Sequence, residues 1–234
     1  MKWAFANSCK DAFLHLFFPH LCAGCSSDLI DDEQLICSKC LHALPFTLFE
    51  TIDRNPVEKL FWGRTTVAHA YSIFYYIPEN PLQRIIHHIK YKNNPALGTY
   101  MGKIMGKRLE NFFANNCIDF MLPMPLHPKK EYTRGYNQAT VLCEGIHAVT
   151  GIQYLHDVLI RNIHTSTQTK KSRIERWENV SDVFEISDQS CIQDKHILLI
   201  DDVITTGAST EACANLLLKN KAASVSICSL AYTI

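Results

Sequence analysis

Two stretches of this 234-residue chain carry residue types at spacings that do chemistry. The first runs Ile197-Leu198-Leu199-Ile200-Asp201-Asp202-Val203-Ile204-Thr205-Thr206-Gly207-Ala208-Ser209-Thr210. Four consecutive aliphatics read as a strand buried on both faces of a parallel sheet, and two carboxylates follow where that strand ends. Open α/β sheets bind ligands at that end. Thr205, Thr206, Gly207, Ala208 and Ser209 then offer hydroxyls and a glycine that permits close backbone approach, ahead of a helical run from Glu211 to Leu218. A loop entering a helix N-terminus presents free N–H groups and the positive end of the helix dipole, which together cradle phosphate. Carboxylates and cradle side by side suit a vicinal diol next to a phosphate. Two other readings compete. A Walker-B strand needs a Walker-A loop, yet Gly98-Thr99-Tyr100-Met101-Gly102-Lys103 is one residue short and leads into Ile104. A turn merely capped by Asp202 leaves the run of small hydroxyl residues unexplained.

The second stretch is Cys22, Cys25, Cys37 and Cys40, spelling C-x2-C-x11-C-x2-C. Each pair can present two sulfurs from a tight knuckle, and two knuckles close a tetrahedral four-thiolate site, so the spacing predicts structural zinc. With every position filled by protein, such a metal stabilises a small module and does not catalyse. A redox C-x-x-C would need only one pair, opening a helix after a strand. His20 and His42 flank the cluster and are left out of the ligand set. Cys9, Cys117, Cys143, Cys191, Cys213 and Cys228 lack ligand spacing and read as small buried hydrophobes.

A third segment, Leu122 to Ala139, follows the short apolar strand Phe120-Met121-Leu122. Its Pro-rich loop brings Lys129, Lys130 and Arg134 close to a helix start at Asn137, either as a diphosphate clamp or as a solvated basic loop. From Arg161 to Asn179 the chain is polar and cation-rich and its first half lacks an apolar stripe, the pattern of a mobile loop or lid. Phe61, Trp62, Phe74, Tyr75 and Tyr76 are aromatic enough to stack a base and equally suited to a core.

These segments need elements to hold them. The composition is that of a folded protein, 47% hydrophobic and 20% charged. Lys plus Arg and Asp plus Glu both number 23, which excludes a global basic footprint for tight general DNA binding and makes any anion site local. Residues 28–58 hold seven acidic and two basic side chains, whereas residues 84–108 hold six basic and no acidic ones. That shift divides the chain into residues 1–55, an amphipathic helix through Phe5, Cys9, Ala12, Phe13, Leu16 and Phe17 followed by the cysteine module, and residues 56–234, a βα-type sheet domain. No segment reads as a signal peptide or membrane span, and the scattered cysteines favour a reducing, cytoplasmic compartment.

The run from Ile197 to Thr210 resembles the PRPP-binding motif of type I phosphoribosyltransferases. With the four-cysteine module and the Arg134-Gly135-Tyr136-Asn137-Gln138-Ala139 signature, nearly the whole chain resembles the ComF-like family. The resemblance implies a central, mainly parallel sheet flanked by helices, with a small N-terminal four-cysteine zinc ribbon. It implies that Asp201 and Asp202 hold the ribose hydroxyls of PRPP and act in catalysis, and that Thr205, Thr206, Gly207, Ala208 and Ser209 hold its 5-phosphate. Lys129, Lys130 and Arg134 fall in the pyrophosphate loop. Arg161, Gln168, Arg176 and Asn179 match the flexible loop, where Lys171 departs from an expected aliphatic, and Lys90 and Tyr91 match a further feature. Implied cofactors are structural Zn²⁺, and Mg²⁺ with PRPP. The implied function is transfer of a phosphoribosyl group to a nitrogenous base with release of pyrophosphate. The alternative is a non-catalytic accessory protein of DNA uptake, binding PRPP or a nucleotide and docking on a competence helicase or single-stranded DNA.

Overall fold

The computed structural model describes residues 19–29, 34–161 and 183–234. The N-terminal helix expected through Phe5 and Phe17, and Gln168, Lys171, Arg176 and Asn179 of the expected loop, lie outside the described residues. In chain order the elements are α1 (Ser38–His42), a 3-10 turn (Phe49–Thr51), α2 (Pro56–Lys59), β1 (Ala70–Tyr76), α3 (Pro81–Tyr91), α4 (Pro95–Arg108), α5 (Glu110–Asn115), β2 (Phe120–Pro123), α6 (Pro128–Arg134), α7 (Gln138–Thr150), β3 (Leu159–Arg161), β4 (Phe184–Ile186), β5 (His196–Ile204), α8 (Ala208–Lys219) and β6 (Ser224–Thr233).

β5 and β6 form the centre of a four-stranded sheet of order β1-β6-β5-β2, parallel throughout. Ile197, Leu198, Leu199 and Ile200 are wholly buried, as a strand covered on both faces must be. The strand runs further than its aliphatic stretch suggests. Asp201, Val203 and Ile204 stay in register with Ser229, Ala231 and Tyr232 of β6, so the carboxylates sit within the strand's last four residues. Beyond β2, Met121 also bridges Tyr154 in parallel. β3 and β4 pair separately as an antiparallel ribbon. On the opposite edge, Tyr75 N–H donates to Pro45 O and Thr47 N–H to Ile73 O, so the chain following the cysteine module covers β1. Asn55, fully buried, ties the same region down: its amide donates to Ala70 O and its oxygen caps Val57 and Glu58 N–H.

Helix starts follow local chemistry. Asn80 and Asn94 accept N–H groups of Leu82 and Leu97, and each precedes a proline that leaves no orphan N–H at the first helical position. α4 and α7 pack with unusual closeness. Gly98, Gly102 and Gly106 recur every fourth residue along one face of α4 and meet Val141, Leu142, Ile146 and Val149 of α7. The glycine-rich segment that falls short of a phosphate loop is therefore a helix-packing face. A methyl added at Gly145 would lie 2.1 Å from Thr99 O and 2.7 Å from Gly102 Cα, against backbone that has no side-chain freedom to yield. Among the described residues no helix is long and apolar enough to cross a membrane.

Gly145→Ala must push the two helices apart. It is expected to lower stability by about 3 kcal/mol, a fall of roughly 6–12 °C in thermal midpoint. Gly151, with a φ of 74° and nothing within 4 Å of an added methyl, provides the control. Its alanine variant carries only backbone strain, about 1–2 kcal/mol. Equal midpoints for the two variants in thermal unfolding would refute this packing account.

Candidate functional site

The site grows from the end of β5. Successive strand residues point to opposite faces, so Asp201 and Asp202 diverge from a shared backbone. The Asp202 carboxylate pairs with Lys90 Nζ at 2.9 Å, from the last turn of α3. The Asp201 carboxylate accepts the Asp202 N–H at 2.8 Å and the Thr210 hydroxyl at 3.5 Å. Burial, reinforced by the neighbouring Asp202 charge, pushes the Asp201 carboxyl up to about 7 against the opposing pull of these hydrogen bonds and of Lys90. Past the strand, Thr205 and Thr206 are exposed, and Gly207 turns the chain with a φ of 72° into α8. The cap residue Gly207 has no side chain to offer; the Thr206 hydroxyl accepts the Ala208 N–H at 3.5 Å, and among the described residues no side chain is bonded to the N–H groups of Ser209 and Thr210. Glycine is required at 207 on two counts: its positive φ, and the Phe61 ring, which would meet an added Cβ at 3.1 Å.

Arg64 holds this loop. Its guanidinium donates to Leu60 O at 3.0 Å and Thr206 O at 3.1 Å and pairs with Glu211 in the first turn of α8. No sequence signal points to it, because its partners at 206 and 211 lie far along the chain. Lys90, to which the sequence assigns no firm role, meets the acidic pair directly.

The basic segment approaches from β2. Asn137 donates to Met124 O and caps Ala139 N–H, fixing the loop between strand and helix. Arg134 stacks over the Tyr91 ring at 5.4 Å and donates to Gln138, while Gly135 ends α6 with a φ of 83°. A cleft of about 180 Å³ is lined by Asp201, Asp202, Ser209, Lys90, Lys130, Arg134 and Arg161. Residues from four separate sequence segments thus converge. Lys129 lies in an adjoining cavity of about 440 Å³ with Lys90, Lys130 and Arg134. Thr205 faces another cleft, and Arg176 lies outside the described residues. Arg161, at the end of β3, is stacked over Phe184 of β4 at 5.4 Å. Acids for hydroxyls, cations for anions and open N–H groups for phosphate all border this region.

Of the aromatics considered for stacking, Phe61 and Phe74 are fully buried, and Phe49 stacks edge-on against Tyr75. Tyr76 lines the cleft that Thr205 faces, and Trp62 is 56% exposed. Cys143, Cys213 and Cys228 are buried as expected, with thiols pushed up by desolvation. Cys117 departs from that expectation and is exposed.

The four N-terminal cysteines lie together, their Sγ atoms all within 4.8 Å of one another. Cys25 Sγ to Cys37 Sγ is 3.7 Å, close to the ~3.8 Å edge of a tetrahedron with ~2.3 Å metal–sulfur bonds. Gly24 N–H and Cys37 N–H point at Cys22 Sγ, and Cys40 N–H points at Cys37 Sγ, contacts that favour thiolates. Hydrogen bonds from Ser27 draw Cys25 down to about 6, the Cys40 N–H lowers Cys37, and burial raises Cys40. A cation is what would let all four ionise, so the donor set fits a metal such as zinc. His20 and His42 instead bond backbone oxygens of Gln34 and Ser38. The first knuckle is a turn closed by the Leu21–Asp28 bridge, and the second opens α1 with Cys37 as its cap.

Residues 145–233 match the phosphoribosyl transferase domain family. The chain is 27% identical over 220 residues to the DNA utilization protein YhgH of Escherichia coli (strain K12), covering 92% of this chain and 91% of that protein. It is 25% identical over 210 residues to Competence protein F of Haemophilus influenzae, covering 88% and 87% respectively. With Competence protein ComFC of Bacillus subtilis identity reaches 38% over 107 residues, 45% of this chain and 41% of that protein. Domain match, cysteine cluster and these relatives together bear out the resemblance of the chain to the ComF-like family.

Proposed function

We propose that the cleft binds PRPP with Mg²⁺ and that the chain transfers the phosphoribosyl group to a nitrogenous base, releasing pyrophosphate. The observation that carries this reading is the convergence of Asp201, Asp202, Ser209, Lys130, Arg134 and Arg161 on one cleft. In it the two aspartates hold the ribose 2′- and 3′-hydroxyls, and the N–H groups from Thr205 to Ser209 receive the 5-phosphate. Lys129, Lys130, Arg134 and Arg161, with Arg176, neutralise the diphosphate. Two adjacent carboxylates bordering a cleft suit Mg²⁺, which when bound with phosphates disperses their charge. At the anomeric carbon the bond to the diphosphate oxygen breaks and its electron pair leaves with pyrophosphate. The base nitrogen donates its lone pair to form the new bond and releases its proton to solvent. The ring carries positive charge in the transition state, and Asp201 and Asp202 favour that charge.

In this reading residues 1–55 carry a zinc-stabilised module, residues 56–234 form the phosphoribosyltransferase body, and the reduced thiols belong to a cytoplasmic protein. A second reading has its own support: four cations, Lys90, Lys129, Lys130 and Arg134, share a cavity with Tyr91, which is 63% exposed. Stacking aromatics beside cations suit single-stranded nucleic acid, and the relatives bear the names DNA utilization protein and competence protein. The chain would then bind PRPP or a nucleotide without turnover and dock on single-stranded DNA or a helicase.

Calorimetric titration with PRPP is expected to show binding that requires Mg²⁺ and weakens at least ~100-fold in the Asp201→Asn/Asp202→Asn double variant. Pyrophosphate release with any base then selects the enzyme, and PRPP binding without release in a panel of bases selects the accessory protein. Metal analysis should find one zinc per chain, lost with a drop in thermal midpoint in Cys25→Ser; a cluster that stays metal-free in zinc-supplemented protein refutes the assignment. Because Asp201 holds its proton more tightly folded than unfolded, where aspartate titrates at about 3.9, its own contribution to the stability of the ligand-free fold is lost as pH rises from about 4 to 7. Asp201→Asn therefore melts above the wild type at pH 8, with the gap closing toward pH 4, and a variant melting at or below wild type at pH 8 overturns that assignment.

A further inference from the structure

A second cleft, of about 600 Å³, opens beside the acidic pair and shares Lys90 with the smaller one. Its floor is the C-terminal end of the sheet: Tyr76 of β1, Val203 of β5 with Thr205 just beyond, and Thr233 of β6. Its wall is the face of α3 that carries Arg84, His87 and Tyr91. A ligand seated there lies next to whatever Asp201 and Asp202 hold.

The lining has a definite chemical sense. No aspartate or glutamate is among it, while Arg84 and Lys90 are. Lys90 already faces Asp202 at 2.9 Å, so the charge left for a ligand is Arg84. One guanidinium nitrogen of Arg84 donates to Gly24 O at 3.0 Å, within the first cysteine knuckle. That contact orients the fork, its other N–H groups have no hydrogen-bond partner among the described residues, and a guanidinium fork matches a carboxylate in a bidentate pair. His88 also lines the cleft, and desolvation, then the neighbouring His87 and Lys92, hold it below its ordinary range. The His87 and Tyr91 rings, with centroids 4.9 Å apart, line the same cleft as Tyr76.

We propose that this cleft is the acceptor site and that the acceptor is a planar ring carrying a carboxylate, gripped by Arg84 and stacked among the tyrosines. The word acceptor rests on the phosphoribosyl reading above; the preference for a flat carboxylate rests on the cleft alone.

Isosteric pairs separate the two claims, because carboxylate and carboxamide differ in charge and hardly in shape. The full metal-loaded chain is titrated with nicotinate against nicotinamide and with anthranilate against 2-aminobenzamide, each with and without Mg²⁺ and PRPP. At least one carboxylate is expected to bind ten-fold or more tightly than its amide. Arg84→Gln should reduce that ratio below two-fold, and Arg84→Lys should restore part of it. Equal or tighter binding of both amides, a preference that survives in Arg84→Gln, or no binding of any probe to protein that binds PRPP would overturn the proposal. A carboxylate preference in protein that does not bind PRPP would support the cleft and refute the phosphoribosyl reading. Failure of both would remove both.

Discussion

Two carboxylates on consecutive residues at the mouth of a buried strand repel each other and resist desolvation, and much of this molecule is arranged around that constraint. Asp202 meets the Lys90 ammonium, and Asp201 takes a backbone N–H and a threonine hydroxyl while remaining partly starved of water. The balance leaves Asp201 poorly satisfied as an anion in the free protein. A ligand bringing hydroxyl donors to that carboxylate would relieve what folding leaves unpaired, so fold stability is surrendered where a ligand can return it.

That ion pair is only as well placed as the helix that supplies it. α3 is fixed at its start by the Asn80 cap and Pro81, and it packs its Leu82, Ile85, Ile86 and Ile89 stripe into the core. A Cβ at Gly24 would sit 3.2 Å from Pro81 and 2.8 Å from Cys40 Sγ, so the cysteine knuckle is wedged between its own fourth sulfur and the helix start. Arg84, one turn along, bonds the same glycine's carbonyl. The small module thus braces the helix whose far end carries Lys90 and Tyr91. On the other side, the Tyr136 hydroxyl bonds Ile89 O and Arg134 stacks on Tyr91, which links the basic loop to the same helix.

Beneath the site, α4 and α7 approach so closely that only glycine serves at 102 and 145. α7 begins at Asn137, whose side chain also bonds Met124 O beyond β2. Close packing of this pair therefore helps set where the basic loop meets the sheet. Arg64 plays the corresponding part for the Thr205–Ser209 loop, joining α2's trailing turn to the start of α8.

Local chemistry alone settled a good deal. An unbroken aliphatic run followed by acids has to be a buried strand with its charges at the exit, paired thiols at knuckle spacing have to cluster, and Asn-Pro and Asn-Gln pairs start helices through short-range hydrogen bonds. Each of these depends on neighbours within a few residues. The β5 strand nonetheless ran on past Ile200, because its extent depends on a partner strand, and pairing with β6 is invisible from β5 itself. The same limit hid Arg64 and left Lys90 without a role, since their charges are commonplace along the chain and acquire meaning only from carboxylates and carbonyls over a hundred residues away. It also divided the aromatics: Phe61 and Phe74 went to the core and Tyr76 to a cleft, since burial is a property of the packed sheet and not of the ring. Residue type and near spacing determined the chemistry available; only the tertiary structure decided which of those groups meet, because ion pairs, wedges and cleft walls join segments that sequence keeps apart.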